Sequence, residues 1–185
     1  MTLLYLDEVG FSLVLPVSYT WSKRETKNRL CIPTRWGSHG RLNLIGALAW
    51  GKKKRTLHFE LVEESVKSTH VVAFIDELAR DAAGGQLTVV VLDNARFHTS
   101  TKVKEKQPMW EERGVFLRYL PPYAPHLNPI EALWKHLKSF LLPRRCYHSV
   151  AQLKQAVLEA LHLLGAIHIN SSVGEAYDIC WANRY

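Results

Sequence analysis

Two hydrophobic patterns alternate along this 185-residue chain. Short runs of apolar and β-branched residues, typical of buried strands, are separated by segments whose apolar residues recur every three or four positions, as on one face of a helix. The pattern predicts strands over residues 2–7, 41–50, 55–62, 87–92 and 115–120. It predicts one helix capped by Ser68 or Thr69, one from Thr99, one from Asn128-Pro129 and one from Ser149, where Gln152 completes a capping box. Because strands and helices alternate, the sequence indicates an α/β fold.

The segment LTVVVL at residues 87–92 is the clearest of these strands. It is apolar throughout, as a central strand covered on both faces should be, and it leads directly into Asp93. Residues 121–129 contain four prolines and therefore predict an extended loop that delivers the chain to the next helix. The apolar face of that helix consists of Ile130, Leu133, Trp134 and Leu137.

Three carboxylates stand where packing does not require an acidic residue. Asp7 and Asp93 each end a predicted strand, and Glu131 lies in the first turn of the helix after the proline-rich loop. Side chains at strand ends of an open α/β sheet reach the cleft where ligands bind, so neighbouring strands would bring Asp7 and Asp93 together opposite Glu131. Such carboxylates repel one another unless a divalent cation holds them, and oxygen-only ligands favour Mg²⁺ or Mn²⁺ over Zn²⁺. Two such ions catalyse phosphoryl displacement.

Each carboxylate also has a simpler interpretation. Asp7 is either a turn residue or a ligand, and the adjacent Glu8 is an equally good ligand candidate. Asp93 with Asn94 is compatible with turn chemistry, since both residue types tolerate left-handed backbone. Glu131 occupies the third position of a possible capping box, where its side chain would bond back to the amide of the cap. The combination of the three, rather than any one of them, favours a metal site.

The composition narrows the function further. Hydrophobic residues make up 47% of the chain, as in globular proteins, and no apolar run reaches the roughly 18 residues that a membrane span needs. The three cysteines are an odd and widely spaced set, which indicates free thiols in a reducing compartment. A formal net charge of +7 favours a polyanionic partner such as nucleic acid.

Two sets of basic residues are candidate contacts to DNA phosphates. The first set is a continuous run that consists of Lys52, Lys53, Lys54 and Arg55. This run is either a solvated hairpin turn or a non-specific phosphate clamp. The second set, Lys135 and Lys138, lies one and two turns beyond Glu131 on the polar face of the helix, near any DNA strand bound at the carboxylates.

Three motifs carry a specific resemblance to a known family. They are LDE at residues 6–8, LDNARFH at residues 92–98 and LPPYAPHLNPIE at residues 120–131. In this order they resemble the mariner superfamily of DDE transposases, and its bacterial insertion-sequence branch in particular. Residues 94–130 separate Asp93 from Glu131, a gap within the range of that branch.

The resemblance implies an RNase H-like fold, a mixed five-stranded sheet flanked by helices, over residues 1–165, with residues 166–185 as a C-terminal tail of unknown role. It implies that Asp7, Asp93 and Glu131 are the catalytic triad and bind Mg²⁺ or Mn²⁺, as two ions. The implied reaction is hydrolytic nicking at transposon ends, followed by attack of a 3′-hydroxyl on target DNA, without a covalent protein–DNA intermediate.

Three further residues of these motifs are expected to support the triad. Asn94 either orders a metal-bound water or stabilises a turn. His98 either contacts the scissile phosphate or stabilises the loop of Asp93. Asn128 is expected to cap the helix that presents Glu131, which makes it a structural support for function.

Family members usually carry an N-terminal helix-turn-helix region, whereas six residues precede Asp7 here. We therefore expect a catalytic fragment, one product of a split reading frame, or a remnant. The expected partners are transposon-end and target DNA, a second copy of the chain on DNA and, for a split frame, a separate helix-turn-helix polypeptide. We expect a prokaryotic, cytoplasmic protein with no membrane partner. Two alternatives stay open: an inactive or domesticated DNA-binding remnant, and another RNase H-like nuclease.

Overall fold

A computed structural model of the chain describes residues 1–13, 40–50, 55–82, 87–122, 124–143, 145–164, 167–171 and 176–177. The strands of this part are β1 (Thr2–Ser12), β2 (Arg41–Trp50), β3 (Arg55–Val62), β4 (Thr88–Leu92), β5 (Val115–Tyr119), β6 (Ile167–Ser171) and β7 (Ala176–Tyr177). The α-helices are α1 (Ser68–Asp81), α2 (Thr101–Glu112), α3 (Pro129–His136) and α4 (Val150–His162).

All of these strands belong to one mixed sheet in the order β5-β4-β1-β2-β3-β6-β7. β1 pairs with β4 in parallel and with β2 in antiparallel orientation, and β4 pairs with β5 in parallel. The predicted mixed five-stranded sheet is therefore confirmed as β1–β5. β6 pairs with β3 in parallel and β7 follows it, so two short strands that the sequence did not predict extend the sheet at this edge.

Each face of the sheet carries its own apolar core, because successive side chains of a strand point to opposite faces. One core packs the sheet against α3 and α4, and from β1 it includes Val9 and Phe11. The other core packs the sheet against α1 and α2, and from β1 it includes Leu4 and Leu6. This three-layer arrangement places α3 on the opposite face of the sheet from α2.

β1 is longer than the sequence predicted. Its apolar run stops before Asp7, but the strand continues to Ser12 because residues 8–12 keep pairing with β2 as far as the Ser12–Arg41 pair. Val9 and Phe11 in this extension are buried at 5% and 1% exposure. Asp7 therefore lies inside a strand, and the prediction that it ends the strand was wrong.

Two helices also begin later or earlier than predicted. Lys67, rather than Ser68 or Thr69, is the N-cap of α1, since its backbone N–H donates to His70 Nδ1 at 3.1 Å. α2 begins at Thr101 rather than Thr99 and continues through Pro108. The helix tolerates this proline because the following turn is anchored: Trp110 is fully buried and donates its Nε1–H to Asp76 of α1 at 2.7 Å.

The remaining elements follow the sequence closely. The proline-rich loop forms one short 3-10 turn, Pro125–Leu127, before α3 begins at Pro129. Ser149 caps α4 as predicted, and its Oγ accepts the N–H of Gln152 at 3.2 Å. No helix in the described part of the chain is long and apolar enough to cross a membrane.

Candidate active site

The pairing of β1 with β4 places the two aspartates side by side. Tyr5 lies opposite Val91 in this parallel pair, and continuing the register by two residues brings Asp7 alongside Asp93. Asp93 is the first residue after β4, at the carboxyl end of that strand. The prediction that the two strands are neighbours is confirmed.

Glu131 approaches from α3, which lies unusually close to the sheet. Gly46 of β2 is the register partner of Asp7, and a Cβ at this glycine would lie 2.6 Å from Cη2 of Trp134. The missing side chain at residue 46 therefore lets the Trp134 ring pack directly on the strand beside Asp7. Three positions earlier on the same helix, Glu131 is exposed at one wall of the site.

Asp93 and Glu131 line the same open cleft, whose volume is about 430 Å³. The other lining residues come from the loop after β4 and from the proline-rich loop: Asn94, Ala95, Leu120, Pro121, Pro122 and Ala124. The second and third motifs thus share this cleft, and the β1–β4 register places Asp7 of the first motif beside Asp93 at the same end of the sheet.

The charges of this region are unbalanced. Burial raises the pKa of Asp7 from 3.8 to about 7, and repulsion from Glu8, Glu131 and Asp93 adds to the effect. A hydrogen bond from the Glu8 backbone only partly opposes it. Asp7 thus lies within electrostatic reach of both other members of the predicted triad, and a bound cation would relieve the repulsion.

His98 connects two of the motifs. Its ring is completely buried, with Nδ1 2.7 Å from Asp93 Oδ1 and Nε2 2.8 Å from Glu8 Oε1. Burial alone would lower the pKa of His98, but the hydrogen bonds and charges of the two carboxylates outweigh it and raise the pKa to about 9. At neutral pH the ring is therefore an imidazolium that donates from both nitrogens. The same hydrogen bond lowers the pKa of Asp93.

Glu8 projects to the opposite face of β1 from Asp7, since the two are consecutive in a strand. It is only 13% exposed and is engaged with His98. Of the two acidic residues in the first motif, the structure therefore directs Asp7, and not Glu8, toward α3 and Glu131.

Further hydrogen bonds join the second and third motifs. Asn94 Nδ2 donates to the carbonyl of Leu120 at 2.6 Å, and Tyr119 Oη donates to the carbonyl of His98 at 3.0 Å. Backbone bonding from Leu120 N–H to the carbonyl of Leu92 adds a third link, at 2.9 Å. In this structure Asn94 connects the two loops that form the cleft.

Asn128 occupies the N-cap position of α3, as predicted, but its side chain makes no capping hydrogen bond. It is 3% exposed, and its Oδ1 has no hydrogen-bond partner among the described residues. The first turn of α3 is instead closed by the backbone, with Glu131 N–H donating to the carbonyl of Asn128 at 3.1 Å. Pro129 at the first helical position needs no acceptor.

The predicted basic residues differ in their surroundings. Lys135 is exposed on α3, and Lys138 lies just beyond that helix with its Nζ 5.6 Å from the centre of the Phe11 ring. Burial and the charge of Arg41 lower the pKa of Lys138, while Asp7 opposes the shift, so this lysine lies near the carboxylates. Arg55 stacks on Trp50 at 4.1 Å. Residues 52–54 lie outside the described residues.

Among the described residues, no three His, Cys, Asp or Glu side chains are grouped closely enough to hold a metal ion. The carboxylates that share the cleft nevertheless match a hard divalent cation in kind, since all their donor atoms are oxygen. The three carboxylates of the predicted triad would therefore have to come closer together to share an ion.

The family model described as DDE superfamily endonuclease matches residues 2–154. The chain belongs to this family. The match covers all three motifs of this DDE endonuclease domain, and it confirms the DDE class that the motifs predicted. The mariner superfamily and its bacterial insertion-sequence branch stay predictions.

One curated relative is an uncharacterized protein, y4pE/y4sA, of Sinorhizobium fredii. It is 31% identical over 71 residues, which cover 38% of this DDE endonuclease chain and 48% of the relative. Among solved structures, the Mos1 transposase paired-end complex with the left transposon end has a TM-score of 0.60 at 18% identity, covering 85% of this chain and 46% of that one. The catalytic domain of Mos1 mariner transposase has a TM-score of 0.52 at 15% identity, covering 85% and 68%.

These likenesses confirm the RNase H-like fold. The chain spans about half the length of the Sinorhizobium protein and of the paired-end Mos1 transposase chain.

Sequence reasoning missed three residues that shape this site. Glu8 was considered only as a ligand, and its contact with His98 joins positions 90 residues apart in the chain. Arg41 lies beside Lys138 only because β2 pairs with the extension of β1. Gly46 carried one available signal, a lone glycine within an apolar strand, which often marks a close approach of another element.

Proposed function

We propose that the chain is the catalytic domain of a DDE transposase, which nicks DNA and transfers strands with Asp7, Asp93 and Glu131. The observation that supports this most directly is the convergence of the three motifs. The β1–β4 register brings Asp7 alongside Asp93 at the end of β4, and Glu131 lines the same cleft as Asp93. The catalytic domain is proposed to comprise residues 1–165.

The proposed cofactor is Mg²⁺ or Mn²⁺, held as two ions by the three carboxylates. Asp93 Oδ2 is free of hydrogen bonds among the described contacts, and Glu131 is exposed, so both have oxygen atoms to offer. When bound, the metal supplies activation of water or of a 3′-hydroxyl and stabilisation of the leaving oxygen. Related Mos1 complexes were solved with Mn and with Mg, which supports this choice.

The proposed substrate is DNA, both the transposon ends and the target. The Mos1 paired-end complex with the left transposon end and the Mos1 strand transfer complex share the fold, which supports this proposal. Three basic residues of this chain lie on the α3 side of the carboxylates: Lys135, Lys138 and Arg41. Their positive charges would neutralise the phosphates of a bound DNA backbone. Because paired ends require two active sites, we propose a homodimer on DNA. A separate helix-turn-helix polypeptide is proposed to read the ends.

Nicking of supercoiled plasmid tests this function without knowledge of the end sequence. The protein should nick the plasmid in Mn²⁺ or Mg²⁺ and should stop when EDTA removes the metal. Nicking that continues in excess EDTA would contradict the metal mechanism. Plasmid binding without nicking in either metal would instead favour the inactive DNA-binding remnant.

A further inference from the structure

Glu8 is the one acidic residue at the site for which the proposed mechanism has no use. It lies on β1 next to Asp7 but on the other face of the sheet, and it is 13% exposed. Its carboxylate accepts the Nε2–H of the fully buried His98 at 2.8 Å, and the other ring nitrogen holds Asp93. We call this chain of contacts the Glu8–His98–Asp93 clamp.

The clamp fixes one oxygen of Asp93 and leaves the other available. Oδ1 accepts from His98 Nδ1 at 2.7 Å and from the Ala95 N–H at 2.9 Å. Oδ2 accepts no hydrogen bond from the described residues, and the side chain is 54% exposed toward the cleft. With two donors on one oxygen, the carboxylate cannot rotate without breaking both bonds, so the free oxygen keeps one direction.

The orientation of His98 in turn depends on Glu8. His98 lies on the loop that follows β4, in the second motif. Glu8, in contrast, is held within β1, where its backbone pairs with Ile45 of β2. Phe97 contacts the ring by its edge, with centroids 4.6 Å apart, but offers no polar atom. Tyr119 of β5 holds the backbone carbonyl of His98, whereas Glu8 of β1 bonds to Nε2 and so fixes the orientation of the ring itself.

We propose that Glu8 is a positioning residue, which acts through His98 to aim the free oxygen of Asp93 into the cleft for the metal. This inference rests on the proposed function, because it takes Asp93 as a ligand. Groups that orient a ligand in this way typically contribute tenfold to a hundredfold to metal affinity. The dipeptide Asp7-Glu8 then has two tasks, with a ligand on one face of β1 and a positioning group on the other.

Two substitutions of Glu8 separate the effect of its side-chain length from the effect of its charge. Glu8→Asp keeps the negative charge but shortens the side chain by one methylene, so its carboxylate falls short of His98 Nε2. Glu8→Gln loses the charge but keeps the length, and its amide can accept from or donate to Nε2 while Nδ1–H stays on Asp93. A positioning role depends on reach, whereas a ligand role depends on charge.

Mn²⁺ affinity, measured by calorimetry on the full chain after circular dichroism has confirmed folding, is the readout. The matched control is Asp76→Asn, which loses a carboxylate bonded to Trp110 and Lys106 on the α1/α2 face of the sheet. We expect Glu8→Asp to weaken Mn²⁺ binding by about tenfold or more. Glu8→Gln should lose less than the tenfold lower end of that range, and the control should match the parent.

The inference is overturned if Glu8→Asp binds as tightly as the parent, or if Glu8→Gln loses tenfold or more. If Glu8→Asp does not fold, the Mn²⁺ affinity of Glu8→Gln alone decides whether the inference stands. Failure of the proposed function looks different, because the parent chain itself would then bind no Mn²⁺.

Discussion

Asp7 is the residue at which the requirements of folding and of the proposed chemistry conflict most clearly. It is partly buried on β1, and Glu8, Glu131 and Asp93 all disfavour its charge. Repulsion between these carboxylates destabilises the metal-free protein, and a bound cation would turn it into attraction. A preformed metal site can therefore lower the stability of the fold.

Asp7→Asn should therefore stabilise the metal-free protein while abolishing its response to metal. The raised pKa of about 7 means that the folded state binds more protons than the unfolded state between pH 3.8 and 7, so the parent loses stability as the pH rises through this window. In EDTA at pH 8 we expect the variant to melt about 2–4 °C higher, which corresponds to about 1 kcal/mol in a domain of this size.

The higher melting temperature of Asp7→Asn relative to the parent should shrink at pH 5, where Asp7 of the parent is protonated. Differential scanning calorimetry at both pH values, with Mn²⁺ added in a second series, provides the measurement. An Asp7→Asn protein that is less stable than the parent in EDTA at pH 8 would show that the carboxylate is not under electrostatic strain.

At the scale of elements, the position of α3 depends on the contact between Gly46 and Trp134. A methyl group at residue 46 would approach the Trp134 ring to 2.6 Å, so Gly46→Ala has to push the helix, and Glu131 with it, away from the sheet. We expect a loss of about 1–3 kcal/mol of stability from this overpacking. Nicking should fall as well, because small displacements of a reacting group are costly.

Trp134→Phe should compensate. Phenylalanine lacks the outer ring atoms Cη2 and Cζ2 that meet the new methyl group. Within the described part of the chain, Trp134 Nε1 also has no hydrogen-bond partner to lose. Urea unfolding of the parent, both single variants and the double variant gives the coupling energy. We expect the double variant to be more stable than the sum of the single effects, whereas strict additivity would contradict the contact.

The sequence predicted most of the elements because their signals are local. The apolar run before Asp93 and the apolar stripe of α4 each need only neighbouring residues to be recognised. β1 was underestimated because Asp7, Glu8 and Gly10 interrupt its pattern, and only pairing with β2 extends it. The triad itself was predicted from motifs, whereas the Glu8–His98 contact was not, since no local rule connects positions 90 residues apart.

At the scale of the whole molecule, the net charge of +7 should appear as salt-sensitive binding to DNA of any sequence. Replacing Lys135 and Lys138 with Ala should lower the slope of log K against log[salt] by about 2, or about 1 for each phosphate that is no longer neutralised. Lys154→Ala is the control, because Lys154 pairs with Glu63 at 3.1 Å on α4. Fluorescence anisotropy over a salt series gives the slopes, and equal slopes for all variants would remove Lys135 and Lys138 from the interface. Replacing Lys52, Lys53 and Lys54 with Ala and measuring DNA binding over the same salt series tests whether this run contacts phosphates.

The central claim, that three carboxylates cut DNA with a divalent metal, is tested most directly by Glu131→Gln in the Mn²⁺-dependent nicking assay. Glutamine keeps the shape and helix propensity of the side chain. Since Glu131 is exposed and the Asn128 side chain makes no capping bond, stability should change by at most about 1 kcal/mol. The lost charge should nevertheless lower the nicking rate by about 100-fold or more. A folded Glu131→Gln protein that nicks DNA at the parental rate would contradict the three-carboxylate mechanism.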